Sequence, residues 1–384
     1  MTSTIAILVY RPIGSGVASY TVELANCLAK KTSVLLLGYD LSGATLLSSD
    51  VVKLNLGSDR WIKDFILGGS DIHYIISMSE MIKRKYGHLL RYADLLHFIQ
   101  PTLSIRFSGN IVANSWHYYS LSEGLTYFPL AMKNLYKIPV VFYVLQNYLL
   151  ESIAYRKAKG IIATTSISRD ILRAKRLNAF YVPLPVNVPD RSEVKFDVGD
   201  RVKIILGERD LDRPRNNVLT FLKAITNLWQ KGIRDFSVSL IGNFSSKSSV
   251  FACFRKLRSM GANIKILRRL PVNLFLNQLL RNDIYVSIRS IMDQGSYGVL
   301  QAMARGNMIL ASRSPAYVDM VRHGQNGLLV NERSVIEISY ALQKVIEDRT
   351  LLRNLKQKSF ELAKRNHSYD VVASQLIDTY KKLT

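Results

Sequence analysis

The chain has 384 residues, 48% of them apolar, with 21 Gly and 10 Pro, which excludes a disordered or fibrous chain and allows two domains of ordinary size. Lys and Arg number 52 against 29 Asp and Glu, a formal charge of +23 at pH 7 that attracts polyanions: nucleic acid, acidic headgroups or phosphate-bearing substrates. The excess is spread, with 20 basic and 11 acidic residues over 1–186 and 32 against 18 over the remainder, so no single basic arm carries it.

The N-terminus carries no basic segment before its apolar run and reads as a strand, Ile5–Val9, rather than a signal peptide. A glycine loop (Gly14, Gly16) follows, then Val17–Lys30, where Val17, Tyr20, Leu24 and Leu28 recur at helical steps. Ser33–Leu37 is the next apolar strand. Ile111–Ala113 is a further apolar run, followed by Trp116-His117. The most apolar stretch, Leu125 to Tyr155, is broken by Lys133, Lys137, Pro139 and Gln146, too often to span a bilayer.

Tyr181–Asp200, with Pro183, Pro185 and Pro189, reads as an inter-domain linker, because proline fixes φ and removes a donor. The strand–helix rhythm then resumes. Val202–Leu206 is a strand, Asn217–Gln230 a helix, and Ser237–Ile241, Ile264–Leu267 and Ile284–Ile288 are strands. Gly298–Arg305 is a helix closed by Gly306, Met308–Ala311 a strand and Ser368–Leu383 a terminal helix. Continuous apolar strands joined by helices specify parallel sheets covered on both faces, an α/β chain. Cys27 and Cys253 lack metal-binding spacing and read as reduced, buried thiols.

The most informative stretch is Tyr285 to Val330. A strand ends in a polar loop with Asp293, Gly295, Ser296 and Gly298, and a helix then begins, with Gln301 in its first turn or two. Unpaired N–H groups at a helix start bind phosphate or sugar oxygens, and a carboxylate and an amide eight positions apart can each hold a hydroxyl.

The segment Asp293-Gln-Gly-Ser-Tyr-Gly-Val-Leu-Gln301-Ala-Met-Ala-Arg-Gly306 resembles the donor-binding signature of glycosyltransferase family 4. Asp319-Met-Val-Arg-His-Gly324-Gln-Asn-Gly327-Leu-Leu-Val330 resembles its continuation. Gln301 stands where that signature has a second acid, and Pro315-Ala316 where it often has paired glycines. Weaker similarity lies at Gly14-Ser-Gly16, Asp94-Leu-Leu-His97, Ala158–Thr165 and Pro185-Val-Asn187.

The resemblance implies a GT-B fold, two Rossmann-like domains facing across a cleft. It divides the chain into 1–186 (acceptor side), 187–367 (nucleotide-sugar side) and a terminal helix, 368–384, packing back on the first domain. It implies retaining glycosyl transfer from a nucleotide-diphosphate sugar to a glycan, lipid-linked or other hydroxyl acceptor, with no cofactor and no catalytic metal. The roles implied are Arg209 and Arg215 on the diphosphate, with Asn216 the alternative to Arg215; Asp293 and Gln301 on the sugar; and Gly14, Gly16, Gly207, Ser296, Tyr297 and Gly298 around the donor. His117 would meet the sugar or the acceptor, and His97 is its competitor. Arg213 reads as solvating its loop, and His323 as structural or surface.

The charge exceeds what a diphosphate needs, and an anionic membrane surface would take up the surplus at a cytoplasmic, peripheral location. Lys83-Arg84-Lys85 and Arg169, Arg173, Lys175 and Arg176 read as solvated helix faces, with membrane docking the competing reading. An inactive sugar- or nucleotide-binding protein of the same fold is the alternative function. Nucleic-acid binding rests on charge alone, without a reading motif, and nucleic acid is not expected as a partner.

Overall fold

A computed structural model describes residues 3–9, 16–38, 41, 46–55, 72–115, 138–290 and 296–384. The chain divides into two units, Met1–Pro185 with Tyr369–Thr384, and Val186–Ser368.

The first unit holds a seven-stranded parallel sheet of order β3-β2-β1-β4-β5-β6-β7. Its strands are β1 (Thr4–Val9), β2 (Ser33–Gly38), β3 (Val51–Asn55), β4 (Leu95–Phe98), β5 (Ile111–Ser115), β6 (Gly160–Ala163) and β7 (Ala179–Tyr181). Four helices belong to it by sequence: α1 (Gly16–Ala29), α2 (Ile72–Leu90), α3 (Ile138–Lys157) and α4 (Ser166–Ala174). β1, β4, β5 and β6 are buried almost throughout, as strands covered on both faces must be. Thr165 caps α4 by accepting from the Ser168 N–H.

The second unit holds a six-stranded parallel sheet of order β10-β9-β8-β11-β12-β13. Its strands are β8 (Val202–Asp210), β9 (Phe236–Asn243), β10 (Ile264–Leu267), β11 (Ile284–Ser287), β12 (Met308–Ser312) and β13 (Gly327–Val330). Between and after them run α5 (Val218–Gln230), α6 (Ser249–Ser259), α7 (Val272–Leu280), α8 (Tyr297–Met303), α9 (Val335–Glu347) and α10 (Arg349–His367). β8 runs past Leu206, where its apolar run stops, because β9 continues to pair with it as far as Asp210↔Asn243, with a register shift after Gly207.

The terminal helix α11 (Tyr369–Lys381) lies on α1. Tyr369 donates to Glu23, the Cys27 thiol to the Tyr369 carbonyl at 3.2 Å, and Lys31 to Ser374 at 2.7 Å. Cys27 is buried, whereas Cys253 of α6 is only partly so, packed at the margin of the second unit's core.

The proline-bearing segment expected as a linker contains the division between the units, at Pro185 and Val186, and its later part is docked on the second unit. Val186 bridges Ser368, and Val194 and Phe196 are buried against Phe360 of α10. Those two side chains supply the apolar area that holds the segment, a pull that proline content does not register. At the base of the second sheet Lys356 is 1% exposed and pairs with Asp283 at 2.6 Å, whose other oxygen accepts the Lys203 N–H.

Candidate functional site

In each sheet the chain order reverses once. The strands run β1, β2, β3 in one direction and β4 to β7 in the other, so the first switch lies between β1 and β4. In the second sheet it lies between β8 and β11. Loops leaving the carboxyl ends of strands at such a switch diverge and leave a crevice, where open α/β sheets take their ligands. The site residues read from the second half of the sequence follow β8 and β11, on the two sides of this one switch.

The β8 side carries the cations. Arg209 is exposed near the strand end, and Arg213 and Arg215 are exposed in and beside the turn Pro214–Asn216. Arg213 lies 3.5 Å from Asp210, so it is partly occupied within its own loop. Asn216 is buried and donates to the Asp210 carbonyl at 2.7 Å. It holds the loop shape and leaves Arg215 as the residue that projects.

The β11 side supplies a residue the sequence pattern did not flag. Arg289 stands two positions past β11, with its Nε 3.6 Å from the Glu208 carboxylate. Burial pushes the Glu208 carboxyl up, against the opposing pull of Arg289, Arg215 and Arg213. A carboxyl so desolvated is stabilised in its charged form only by these guanidinium groups, and its presence gathers them at the switch. The signal that would have found Arg289 is a lone cation directly after a buried parallel strand.

The two sides are sewn together by Asn217. This residue has φ +51°, in the left-handed region that asparagine tolerates. Its amide donates to the Ile288 carbonyl at 3.0 Å and to the Ser290 hydroxyl at 2.9 Å, while the Ser290 N–H donates to the Arg215 carbonyl at 2.8 Å. Ser290 in turn donates to Glu332 at 3.0 Å, and Ser312 to the Arg289 carbonyl at 2.7 Å.

Beneath them Tyr285, fully packed, reaches the Gly207 carbonyl at 3.2 Å. A Cβ on Gly298 would come within 2.5 Å of the Tyr285 hydroxyl, and one on Gly207 within 2.7 Å of the Phe275 ring. Both glycines are therefore required by space.

α8 begins at Tyr297, one residue before the expected Gly298. Ser296 is its N-cap, accepting from the Val299 N–H at 3.4 Å. With seven residues and one of its first amides already taken, this helix contributes less than the arginines. Tyr297 is half-buried, and Gln301 is 5% exposed in the second turn.

The Gly-Gln-Asn-Gly motif is architectural. Gly324 has φ +75°, the buried Asn326 accepts from the Arg322 N–H and donates to the Met320 carbonyl, and a Cβ on Gly327 would meet the Ile309 carbonyl at 2.5 Å. His323 accepts from the Leu329 N–H at 3.0 Å, a structural role.

In the first unit Gly16 is the first residue of α1, at the switch after β1. Gly14, His117 and Asp293 lie outside the described residues. His97, the competitor of His117, does not face a ligand. It is fully buried, its Nε2 bonded to Asn114 of β5 and its Nδ1 2.6 Å from the Tyr380 hydroxyl of α11, so both ring nitrogens are occupied inside the unit. Burial lowers it to about 4, and it stays neutral. Among the described residues no group of three His, Cys, Asp or Glu is gathered.

Residues 199–362, within the second unit, match the family model described as Glycosyl transferases group 1. No curated protein matches the chain in sequence. Among solved structures, sucrose-phosphate synthase from Thermosynechococcus elongatus is similar over 99% of both chains, with a TM-score of 0.72 and 15% identity. A glycosyltransferase from Rickettsia africae is similar over 100% of this chain and 98% of its own, with a TM-score of 0.69 and 13% identity. Anabaena HepE in complex with UDP and glucose covers 99% of this chain and 100% of its own, with a TM-score of 0.67 and 14% identity. The fold is GT-B, two Rossmann-like units, and the similarity to the group 1 glycosyltransferase model lies within the second of them.

Proposed function

We propose that this chain is a glycosyltransferase that takes a sugar from a nucleotide-diphosphate donor and delivers it to a hydroxyl acceptor, with the donor at the β8/β11 switch of the second unit. The observation that carries this is the placement of Arg289 and Arg215 about Glu208 at a switch point within the segment that matches the group 1 model, with Arg209 exposed near the end of β8. The related fold of HepE holding UDP and glucose supports a nucleotide sugar as donor.

The chemistry asked of such a site is mainly electrostatic. As the bond between the anomeric carbon and the diphosphate oxygen breaks, negative charge grows on the leaving phosphate. Guanidinium groups fixed beforehand stabilise it without reorganisation. Transfer proceeds with retention: the acceptor oxygen bonds to the anomeric carbon on the face the nucleotide leaves, and the departing phosphate oxygen takes the acceptor proton. The arginines supply the positive charge that a metal supplies elsewhere. Gln301 would hold a sugar hydroxyl by hydrogen bonding alone, with Asp293 and His117 as its proposed companions.

A panel of nucleotide sugars tests the reading. One donor should raise the melting temperature, because a ligand that binds only the native state stabilises it, and should release its nucleotide diphosphate in the presence of an acceptor. Binding without release under every acceptor offered would favour a sugar-nucleotide-binding protein, the reading that Gln301 in place of an acid supports. No binding by any nucleotide sugar would overturn both.

A further inference from the structure

We propose that the face of the first unit formed by α3 and α4 docks on an anionic lipid bilayer. Strands β5, β6 and β7 are adjacent and parallel, so right-handed crossovers carry both helices over the same face of the sheet. Their proximity is direct: Lys175, just past α4, has its Nζ 3.5 Å from the Tyr148 hydroxyl of α3.

This face combines two properties that rarely coincide on a soluble surface. Leu149 is 61% exposed and Ile153, one turn on, 52%; Ile171 of α4 is 40% exposed. The same stripe of α3 continues into exposed Arg156 and Lys157, a spacing that keeps all four side chains on one side of the helix. Residues 149–176 hold seven Lys and Arg against Glu151 and Asp170. Glu151 is buried beneath the face rather than displayed on it, and burial pushes its carboxyl up. Asp170 pairs with Arg169 at 2.7 Å. The result is an apolar stripe in a basic rim, the arrangement that lets side chains enter the acyl boundary while cations hold the headgroups.

The two other surfaces with part of this character lack the rest. On α9, Ile336 and Tyr340 are 76% and 69% exposed, but residues 332–348 carry Glu332, Glu337, Glu347 and Asp348 against Arg333 and Lys344. An anionic surface would be repelled there. Lys83 and Lys85 of α2 are basic, but among its described side chains that helix exposes one large apolar residue, Ile76, where the α3/α4 face exposes three. Among the described residues no helix is long and apolar enough to cross a membrane, so docking here is peripheral.

The proposal does not depend on the donor chemistry, and its test reads lipid binding alone. The full chain is sedimented with phosphatidylcholine vesicles with and without phosphatidylglycerol, over a salt series. Binding is expected only with the anionic lipid, weakening as salt rises. Leu149→Ser with Ile153→Ser, and separately Arg156→Gln with Lys159→Gln and Arg176→Gln, should each lower partitioning at least about tenfold. Ile336→Ser with Tyr340→Ser should leave it unchanged, and circular dichroism should show each variant folded. Absence of binding to anionic vesicles at low salt overturns the proposal, as does an equal loss in the α9 variant. Loss in the charge variant alone, with the apolar variant binding normally, would make the face a plain polyanion site of the kind nucleic acid uses, and overturns it too.

Discussion

The Tyr285 hydroxyl donates to the Gly207 carbonyl at 3.2 Å, fastening the carboxyl end of β11 to that of β8 beneath the proposed donor site. The same hydroxyl occupies the space a side chain on Gly298 would need, at 2.5 Å. Gly298→Ala should therefore destabilise the second unit by about 1–3 kcal/mol through overpacking. Tyr285→Phe should cost only about 1 kcal/mol, the net value of one hydrogen bond. Because the clash is with the hydroxyl itself, the double variant should be close to Tyr285→Phe alone. A thermal or denaturant cycle measures this, and strictly additive losses would show that the two residues do not interfere.

Arg209 and Arg215 are both exposed, so removing either should leave the fold intact. Each to alanine should weaken binding of the nucleotide diphosphate by about 1.5–3 kcal/mol, roughly tenfold or more. Arg289→Ala should do the same, with a further loss of stability, because Glu208 would then be buried without its nearest partner. Calorimetric titration with the nucleotide diphosphate decides this, and unchanged affinity in the Arg209 and Arg215 variants would place the diphosphate elsewhere.

The parallel sheets were legible in the sequence because strands buried on both faces leave continuous apolar runs, as Ile204–Leu206 and Met308–Ala311 do. The Gly324–Gly327 loop was legible for a steric reason: a backbone that approaches a carbonyl within 2.5 Å of a would-be Cβ admits only glycine. Contacts set by strand pairing were not. Tyr285 and Gly207 are 78 positions apart, and neither periodicity nor composition says which groups meet across a sheet. Arg289 escaped for the same cause, since its partner Glu208 is defined by the β8–β11 pairing and not by any local pattern.

The stability of the first unit should fall at both ends of the pH range. Burial lowers His97 to about 4 from its ordinary 6.5, so between those values the unfolded chain binds a proton that the folded chain refuses, and stability drops as pH falls. Burial raises the Glu151 carboxyl well above its ordinary 4.5, so above that value the folded chain keeps a proton that the unfolded chain has lost, and stability drops as pH rises. Glu151→Gln, which fixes the neutral state, should therefore raise the melting temperature at neutral pH, with the gain shrinking toward pH 4.5. A variant whose effect is the same at both pH values would contradict the buried-carboxyl account.

If guanidinium groups stabilise the leaving diphosphate, transfer should survive a chelator in full. Activity measured in excess EDTA against activity in magnesium or manganese checks this. A loss with EDTA that the metal restores would assign the charge stabilisation to a bound cation.

Asn217 gives the most stringent check of the site as built, because its backbone distinguishes glycine from alanine while the loss of its side-chain amide is common to both. Its φ of +51° suits glycine at no cost and strains alanine by about 1–2 kcal/mol. Its amide bonds to Ile288 and Ser290 are lost in both substitutions. Glycine already outranks alanine at an ordinary N-cap, and the left-handed φ adds to that preference, so Asn217→Ala should be the less stable by about 1–2 kcal/mol. Both should weaken nucleotide-diphosphate binding to a similar extent, since the loop bearing Arg215 is held to the loop bearing Arg289 through this amide. Denaturant unfolding separates the strain from the lost bonds, and titration reads the site. If the glycine variant binds the nucleotide diphosphate as the parent does, the two loops are held in place without Asn217, by the Ser290 N–H bond to the Arg215 carbonyl and by Tyr285 beneath.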